Sequence, residues 1–178
     1  LSSKPLRADA LRNRERILAA AERVFAERGA SASTEDIAAE AGVAIGTIFR
    51  HFPTKRDLLA AILKDLLASL TEVGDDTDLF AYFTRVVTES AEKKFVVELL
   101  AVDVGQSVQS LGPTVDALLT RAKAANAVRP DVQLDEVLAL LTAAGHGAPH
   151  WSPDLRARTI EVIFAGLSGR RPRPGGTR

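Results

Sequence analysis

The chain contains no cysteine and no methionine. Without cysteine there is no disulfide framework and no thiolate to act as nucleophile or metal ligand. Methionine is missing even at position 1, so the chain is expected to lack its own start. No run approaches the ~18 apolar residues that a membrane span needs. No N-terminal stretch reads as a secretory leader, and the simplest expected location is a bacterial cytosol, with no membrane partner. Alternating apolar–polar segments and tight hairpin dipeptides are absent, so no strand is expected and the fold class reads as all-α. There is also no glycine-rich phosphate loop, no nucleophile motif and no carboxylate pair in a recognisable frame. The chain is therefore not expected to be an enzyme or to carry a cofactor. His146 and His150 have a metal-compatible i, i+4 spacing. Pro149 falls between them and no further ligand completes the set, so no metal site is expected.

What is present is a segregated charge distribution. The 178 residues balance 23 basic against 23 acidic side chains. Residues 1–56 nevertheless carry a net +3, residues 57–169 a net −7 and the four-arginine tail 170–178 a net +4. A basic head on an acidic body suits a protein whose head meets phosphates and whose body stays off them. Those ranges are the expected divisions, with 170–178 expected to be disordered.

The stretch from Ser33 to Arg56 organises the rest. Ser33 is a good N-cap, and Asp36 three residues on can close a capping box. Ile37, Ala38 and Ala41 recur at helical spacing. Gly42 supplies a turn that needs positive φ, and Val43 is the expected plug behind it. A second short helix is expected over about Ile45–His51, with Ile48 and Phe52 inward and Pro53 beyond its end. Two short helices across a glycine turn make a helix-turn-helix, whose second helix fits the DNA major groove. Ahead of it, Asp9–Arg28 reads as a helix with Ile17, Leu18, Ala21, Val24 and Phe25 inward. Arg12, Arg14, Arg16 and Arg23 fall on its polar side. Leu1–Arg7 is expected to be mobile, its Lys4 and Arg7 either an arm toward DNA or part of a frayed terminus.

Behind the motif, periodicity gives helices over about Lys55–Glu72, capped by Thr54, then Thr77–Glu92, Lys94–Gly105, Pro113–Asn126, Leu134–His146 and Asp154–Leu167. Gln106–Gly112 reads as a polar loop or a frayed end.

The string IAAEAGVAIGTIFRHFPTKRDLL resembles the DNA-binding signature of the TetR family of bacterial transcriptional regulators, and AVRPDV is similar to the C-terminal half of many of them. The resemblance implies a three-helix helix-turn-helix DNA-binding head on a six-helix ligand-binding and dimerisation body. It implies a homodimeric repressor on a palindromic double-stranded operator, released by a small-molecule effector. Groove contacts then fall to Ala44, Ile45, Gly46 and Thr47, with Ile45 either meeting a thymine methyl or folding back on the head. Phosphate contacts fall to the amides of Thr34 and Glu35 with the Ser33 hydroxyl, to Lys55, and to Arg50 and His51. Ala44 and Phe49 stand where many members have a hydroxyl, which shifts weight to Arg50, Lys55 and the N-terminal arginines. A pocket in the body is implied, with Phe80, Phe83, Phe95, Leu99, Asp103 and Gln106 as candidates. Dimerisation is implied through the eighth and ninth helices, whose Val137, Leu138, Leu140, Leu141, Ile160, Val162, Ile163, Phe164 and Leu167 offer apolar surface. The competing expectation is a helical ligand-binding or interaction protein whose head no longer reads DNA.

Overall fold

The computed structural model describes residues 4–101 and 103–169, with the backbone alone for residues 4–8. Its helices are α1 (Lys4–Arg28), α2 (Thr34–Ala41), α3 (Ile45–His51), α4 (Lys55–Thr71), α5 (Leu79–Glu92), α6 (Lys94–Leu100), α7 (Val104–Gln109), α8 (Gly112–Ala124), α9 (Leu134–Gly147) and α10 (Pro153–Ser168). Single 3-10 turns cover Gly29–Ser31 and Ala148–His150. No strand occurs among the described residues.

The first helix begins earlier than its apolar stripe suggests. It is helical from Lys4, with Pro5 in the first turn, where a missing N–H costs nothing. The expected mobile segment is thus helical from residue 4, and residues 1–3 lie outside the described residues, as does the basic tail expected over 170–178.

The chain divides into two compact units. One holds everything up to Ser69 together with Lys93–Asp103, and the other holds Leu70–Glu92 and the chain from Val104. This differs from a division at Arg56: most of α4 and all of α6 pack with the helix-turn-helix. The reason is their apolar content. Leu58, Leu59 and Ile62 of α4 and Phe95 and Val96 of α6 are buried in one cluster with Ile17, Phe25, Ile37 and Ile48. Burial of a large aliphatic or aromatic side chain contributes ~1.5–3 kcal/mol, so these residues hold their helices to the head. Phe95 stacks on Phe25 with ring centroids 5.8 Å apart, and Leu99 packs against the same cluster. Both were expected in a body pocket, and both belong to the head's core.

In the second unit, α5 lies against α8 and α9. Leu79, Tyr82, Phe83, Val86 and Val87 are its buried face. They meet a core that includes Val115, Leu118 and Leu119 of α8 and Val137, Leu138 and Leu141 of α9. Phe164 of α10 packs its ring against Phe80 and Phe83, at 4.5 and 5.6 Å between centroids. Gly147 is required by packing: a Cβ there would lie 2.2 Å from the Trp151 ring.

Two expectations about this region change. The helix expected over Lys94–Gly105 stops at Leu100, where Ala101 turns left-handed at φ 51°. The expected loop from Gln106 instead begins within α7, whose Val104 and Val108 are buried. Asp103 and Gln106 are exposed. Of the apolar residues expected to offer a dimer face, Val137, Leu138, Leu141, Ile160 and Leu167 are buried within the chain. Leu140, Ile163 and Phe164 are half-buried. Val162 is the exposed one, at 72%, joined on α10 by Leu155 at 50%.

Candidate nucleic-acid interface

The turn of the helix-turn-helix is built from local chemistry. The Ser33 hydroxyl accepts from the Asp36 N–H at 3.0 Å and donates to the Asp36 carboxylate at 2.7 Å, which also accepts from the Ser33 N–H at 3.2 Å. This is the capping box expected at the start of α2. Arg28 adds an ion pair to Asp36 at 2.7 Å. The hydrogen bonds from Ser33, with the smaller contribution of Arg28, hold the Asp36 carboxyl below the usual carboxylate range. α2 ends at Gly42, in the left-handed region at φ 62°. The Arg16 guanidinium closes that end, donating to the carbonyls of Ala41 at 2.7 Å and Gly42 at 3.3 Å. A cation on the last carbonyls of a helix is favourable both as a donor and against the helix dipole.

α3 is anchored from beneath. Ile48 is fully buried and Phe52 nearly so, while Val43 is half-buried against the same cluster. The opposite side faces solvent. Ala44, Gly46 and Arg50 are exposed, and Ile45 and Phe49 are exposed large apolar side chains at 37% and 47%. Ile45 therefore stands out from the head. A Cβ at Gly46 would meet nothing within 4 Å, so the chain's own packing does not require glycine there. Thr47 is half-buried, and His51 lies against Phe52 with centroids 6.3 Å apart. Ala44 caps α3 without a side-chain bond.

The cations are less available than the sequence suggests. Lys55 donates from Nζ to the carbonyls of Ala30 and Ala32, both at 2.8 Å, and sits 5.4 Å over the Phe25 ring. It ties the start of α4 to the α1–α2 connection, where a phosphate anchor was expected. Arg12 pairs with Asp9, Arg14 with Asp65 and Arg23 with Glu40. Arg16 is spent on the α2 carbonyls. The Ser33 hydroxyl is likewise engaged in its capping box, which leaves the first-turn amides of Thr34 and Glu35 as the donors at that helix end. Among the described residues, Arg50 on α3 and Arg56 on α4 are cations with no protein partner. Arg56 was not singled out from the sequence. Its signal was available, since it follows Lys55 in the capped first turn that Thr54 and Asp57 form. The face so assembled has two apolar side chains, a glycine, a threonine and an unpaired arginine on one short helix. That is the inventory for close groove approach, thymine-methyl contact and phosphate anchoring.

Of the body candidates, Phe83 is buried in the second unit, and Phe80 lines a cleft of about 240 Å³ between α5 and α8. Among the described residues no group of three His, Asp or Glu side chains lies close enough to share a metal ion. His146 uses its Nδ1 on the Thr142 carbonyl at 3.0 Å. No described helix is long and apolar enough to cross a membrane.

Comparison with known proteins agrees with this geometry. Residues 17–62 match the family described as bacterial regulatory proteins, tetR family, and residues 75–169 match the C-terminal domain of SbtR-like transcriptional regulators. The chain is 48% identical over 177 residues to the HTH-type transcriptional repressor BepR of Brucella suis, covering 90% of this chain and 81% of that one. Among solved structures it resembles a TetR transcription regulatory protein from Mycobacterium vanbaalenii, with TM-score 0.72, 31% identity and coverage of 92% and 99%. It resembles the TetR regulator SCO0520 of Streptomyces coelicolor at TM-score 0.68 and 31% identity, covering 89% and 99%.

Proposed function

The chain belongs to the tetR family of bacterial regulatory proteins, and on that premise we propose that it is a homodimeric repressor that leaves a palindromic operator when a small molecule enters its body. The observation that carries this is the outward face of α3: Ile45 and Phe49 exposed beside Gly46, with Arg50 unpaired. A soluble head gains nothing from such a face by itself. Against a major groove each part has a use. Gly46 admits the backbone close to the duplex, Thr47 and Ile45 meet base edges and thymine methyls, and Phe49 covers sugar. Arg50, Arg56 and the amides of Thr34 and Glu35 take phosphates. Lys55 acts first as a tie that sets the start of α4.

One such helix reads only a few base pairs, so specificity requires two heads on half-sites about 34–36 Å apart, or a multiple of one helical turn. The exposed α10 residues Leu155 and Val162 are our candidates for the surface joining two copies. The expected α9–α10 interface then narrows to α10 with the half-buried Leu140, Ile163 and Phe164. An effector bound more tightly by one arrangement of the body shifts the population toward it. α4 begins at the DNA head and ends beyond Ser69, which suits it to carry that shift to α3. Footprinting on the DNA upstream of the protein's own gene tests the proposal. A protected palindrome with two equivalent half-sites is expected, and protection that is uniform along the fragment would contradict it.

A further inference from the structure

One stripe of α4 is taken up by neither core. Arg56, Ala60 and Lys64 stand four residues apart along it, and all three are exposed. Residues at i and i+4 on a helix are neighbours, about 5–6 Å apart at Cβ, so the two cations flank the alanine. Neither cation has a hydrogen-bond or ion-pair partner among the described residues. The acids of α4 are engaged elsewhere. Asp57 accepts from the Thr54 N–H at 2.9 Å, and Asp65 pairs with Arg14 at 3.4 Å. Two like charges held close without a counter-ion repel each other. The alanine between them leaves room for a group from outside the chain.

The same three residues line part of a groove. It encloses about 420 Å³ between α4 and the end of α6, and its other walls are Leu63, Leu67 and Leu100. All six residues belong to the unit that holds the helix-turn-helix. Leu63 and Leu100 pack partly against that unit's core, and Leu67 is half-buried. No carboxylate lines the groove. Its volume falls within the ~300–1,000 Å³ of small-molecule sites. Charge and apolar wall are therefore separated along it. Positive charge flanks Ala60, and aliphatic wall continues to Leu67, roughly 10 Å further along the helix at 1.5 Å per residue. A simple inorganic anion would leave the leucines unused, and a neutral lipophile would leave the cations unpaired. An anion with an apolar tail uses both.

We propose that this groove is a second ligand site, in the DNA-reading unit itself, for an amphiphilic carboxylate. Its carboxylate sits over Ala60 between Arg56 and Lys64, and its tail lies along Leu63, Leu67 and Leu100. The occupant is a single dissolved molecule, because the leucines are recessed in the groove instead of projecting as a membrane-binding face does. Arg56 also takes an operator phosphate in the proposed complex, so the anion and the operator compete for it, each weakening the other. That consequence rests on the repressor assignment, whereas the site does not.

The full chain is titrated calorimetrically with decanoate, decanol and acetate, each kept below the concentration at which it aggregates. Decanoate is expected to bind about two- to thirty-fold more tightly than decanol, as two exposed ion pairs imply. That advantage is expected to shrink as salt is raised. Acetate is expected to bind at least about ten-fold more weakly than decanoate, since it has no tail to bury. Ala60→Glu sets a carboxylate of the chain between the two cations, and the decanoate advantage is expected to vanish. Lys64→Gln is expected to cut that advantage at least about two-fold, and it carries the test alone if circular dichroism shows Ala60→Glu misfolded. No binding of decanoate, equal binding of decanol or acetate, or an advantage unchanged in the folded variants would overturn the proposal. Cosedimentation with phosphatidylglycerol vesicles in the absence of decanoate binding would assign the face to a membrane surface and overturn it too. Operator affinity of the parent is measured with and without saturating decanoate. Absent operator binding contradicts the repressor assignment, and the titrations still decide the site. Operator affinity that decanoate leaves unchanged contradicts the competition.

Discussion

Gly42 and Gly46 lie four residues apart and answer to different demands. Gly42 sits at φ 62°, and a Cβ there would stand 3.1 Å from the Arg16 guanidinium. An L-residue in that conformation costs ~1–2 kcal/mol. Gly42→Ala is therefore expected to lower stability by about that much in urea denaturation. Gly46 has no such constraint, and glycine in a helix costs up to ~1 kcal/mol relative to alanine. Gly46→Ala is expected to hold or raise stability by up to ~1 kcal/mol while weakening operator binding in an anisotropy titration. A loss of stability with unchanged DNA affinity would reverse the assignment. Asp36 gives a pH test. Its folded carboxyl lies below the ordinary value of 3.8, so its contribution is present above that pH and is lost as the pH falls further and the carboxyl protonates. Asp36→Asn is expected to flatten the acid limb of the stability profile below about pH 4 while leaving its slope near neutrality unchanged.

At the scale of elements, the helices legible in the sequence were those whose ends are marked. α2 and α3 carry a capping serine, a turn glycine and buried residues at helical spacing, and they occur where the pattern placed them. Ile48 is the pin of α3. Ile48→Ala is expected to cost ~2–5 kcal/mol of head stability, read as a lower first transition in thermal melting, with DNA binding lost in parallel. The end of α6 was not legible. Phe95, Val96, Leu99 and Leu100 continue an apolar stripe toward Val104, and no glycine or proline marks the break at Ala101. The stripe in fact serves two cores, Phe95 in the first unit and Val104 in the second. The tie that Lys55 makes was hidden for a related reason. Lysine at a helix start looks solvent-facing, and its carbonyl partners lie 23 and 25 residues away in sequence. Tyr82 escaped notice because its spacing from Leu79 and Val86 reads as ordinary core. Only the three-dimensional arrangement shows that its hydroxyl has no hydrogen-bond partner among the described residues.

At the scale of the whole molecule, the account needs two copies. Val162 is 72% exposed, so Val162→Glu is expected to leave the fold intact. It is also expected to weaken self-association at least about ten-fold in sedimentation velocity, as for a central apolar interface residue. Unchanged association would move the dimer surface elsewhere. In the proposed complex Arg50 takes one phosphate from each head. Arg50→Ala is expected to lower the slope of log affinity against log salt by about 1.8 for the dimer.

The central claim is that α3 reads sequence, and competition binding at physiological salt tests it most directly. The purified chain is titrated against its own upstream DNA in the presence of a scrambled fragment of equal length. A preference of at least ~10³-fold for the upstream fragment, with two chains bound per site, is expected. Equal affinity for the two fragments, falling together as salt rises, would contradict it.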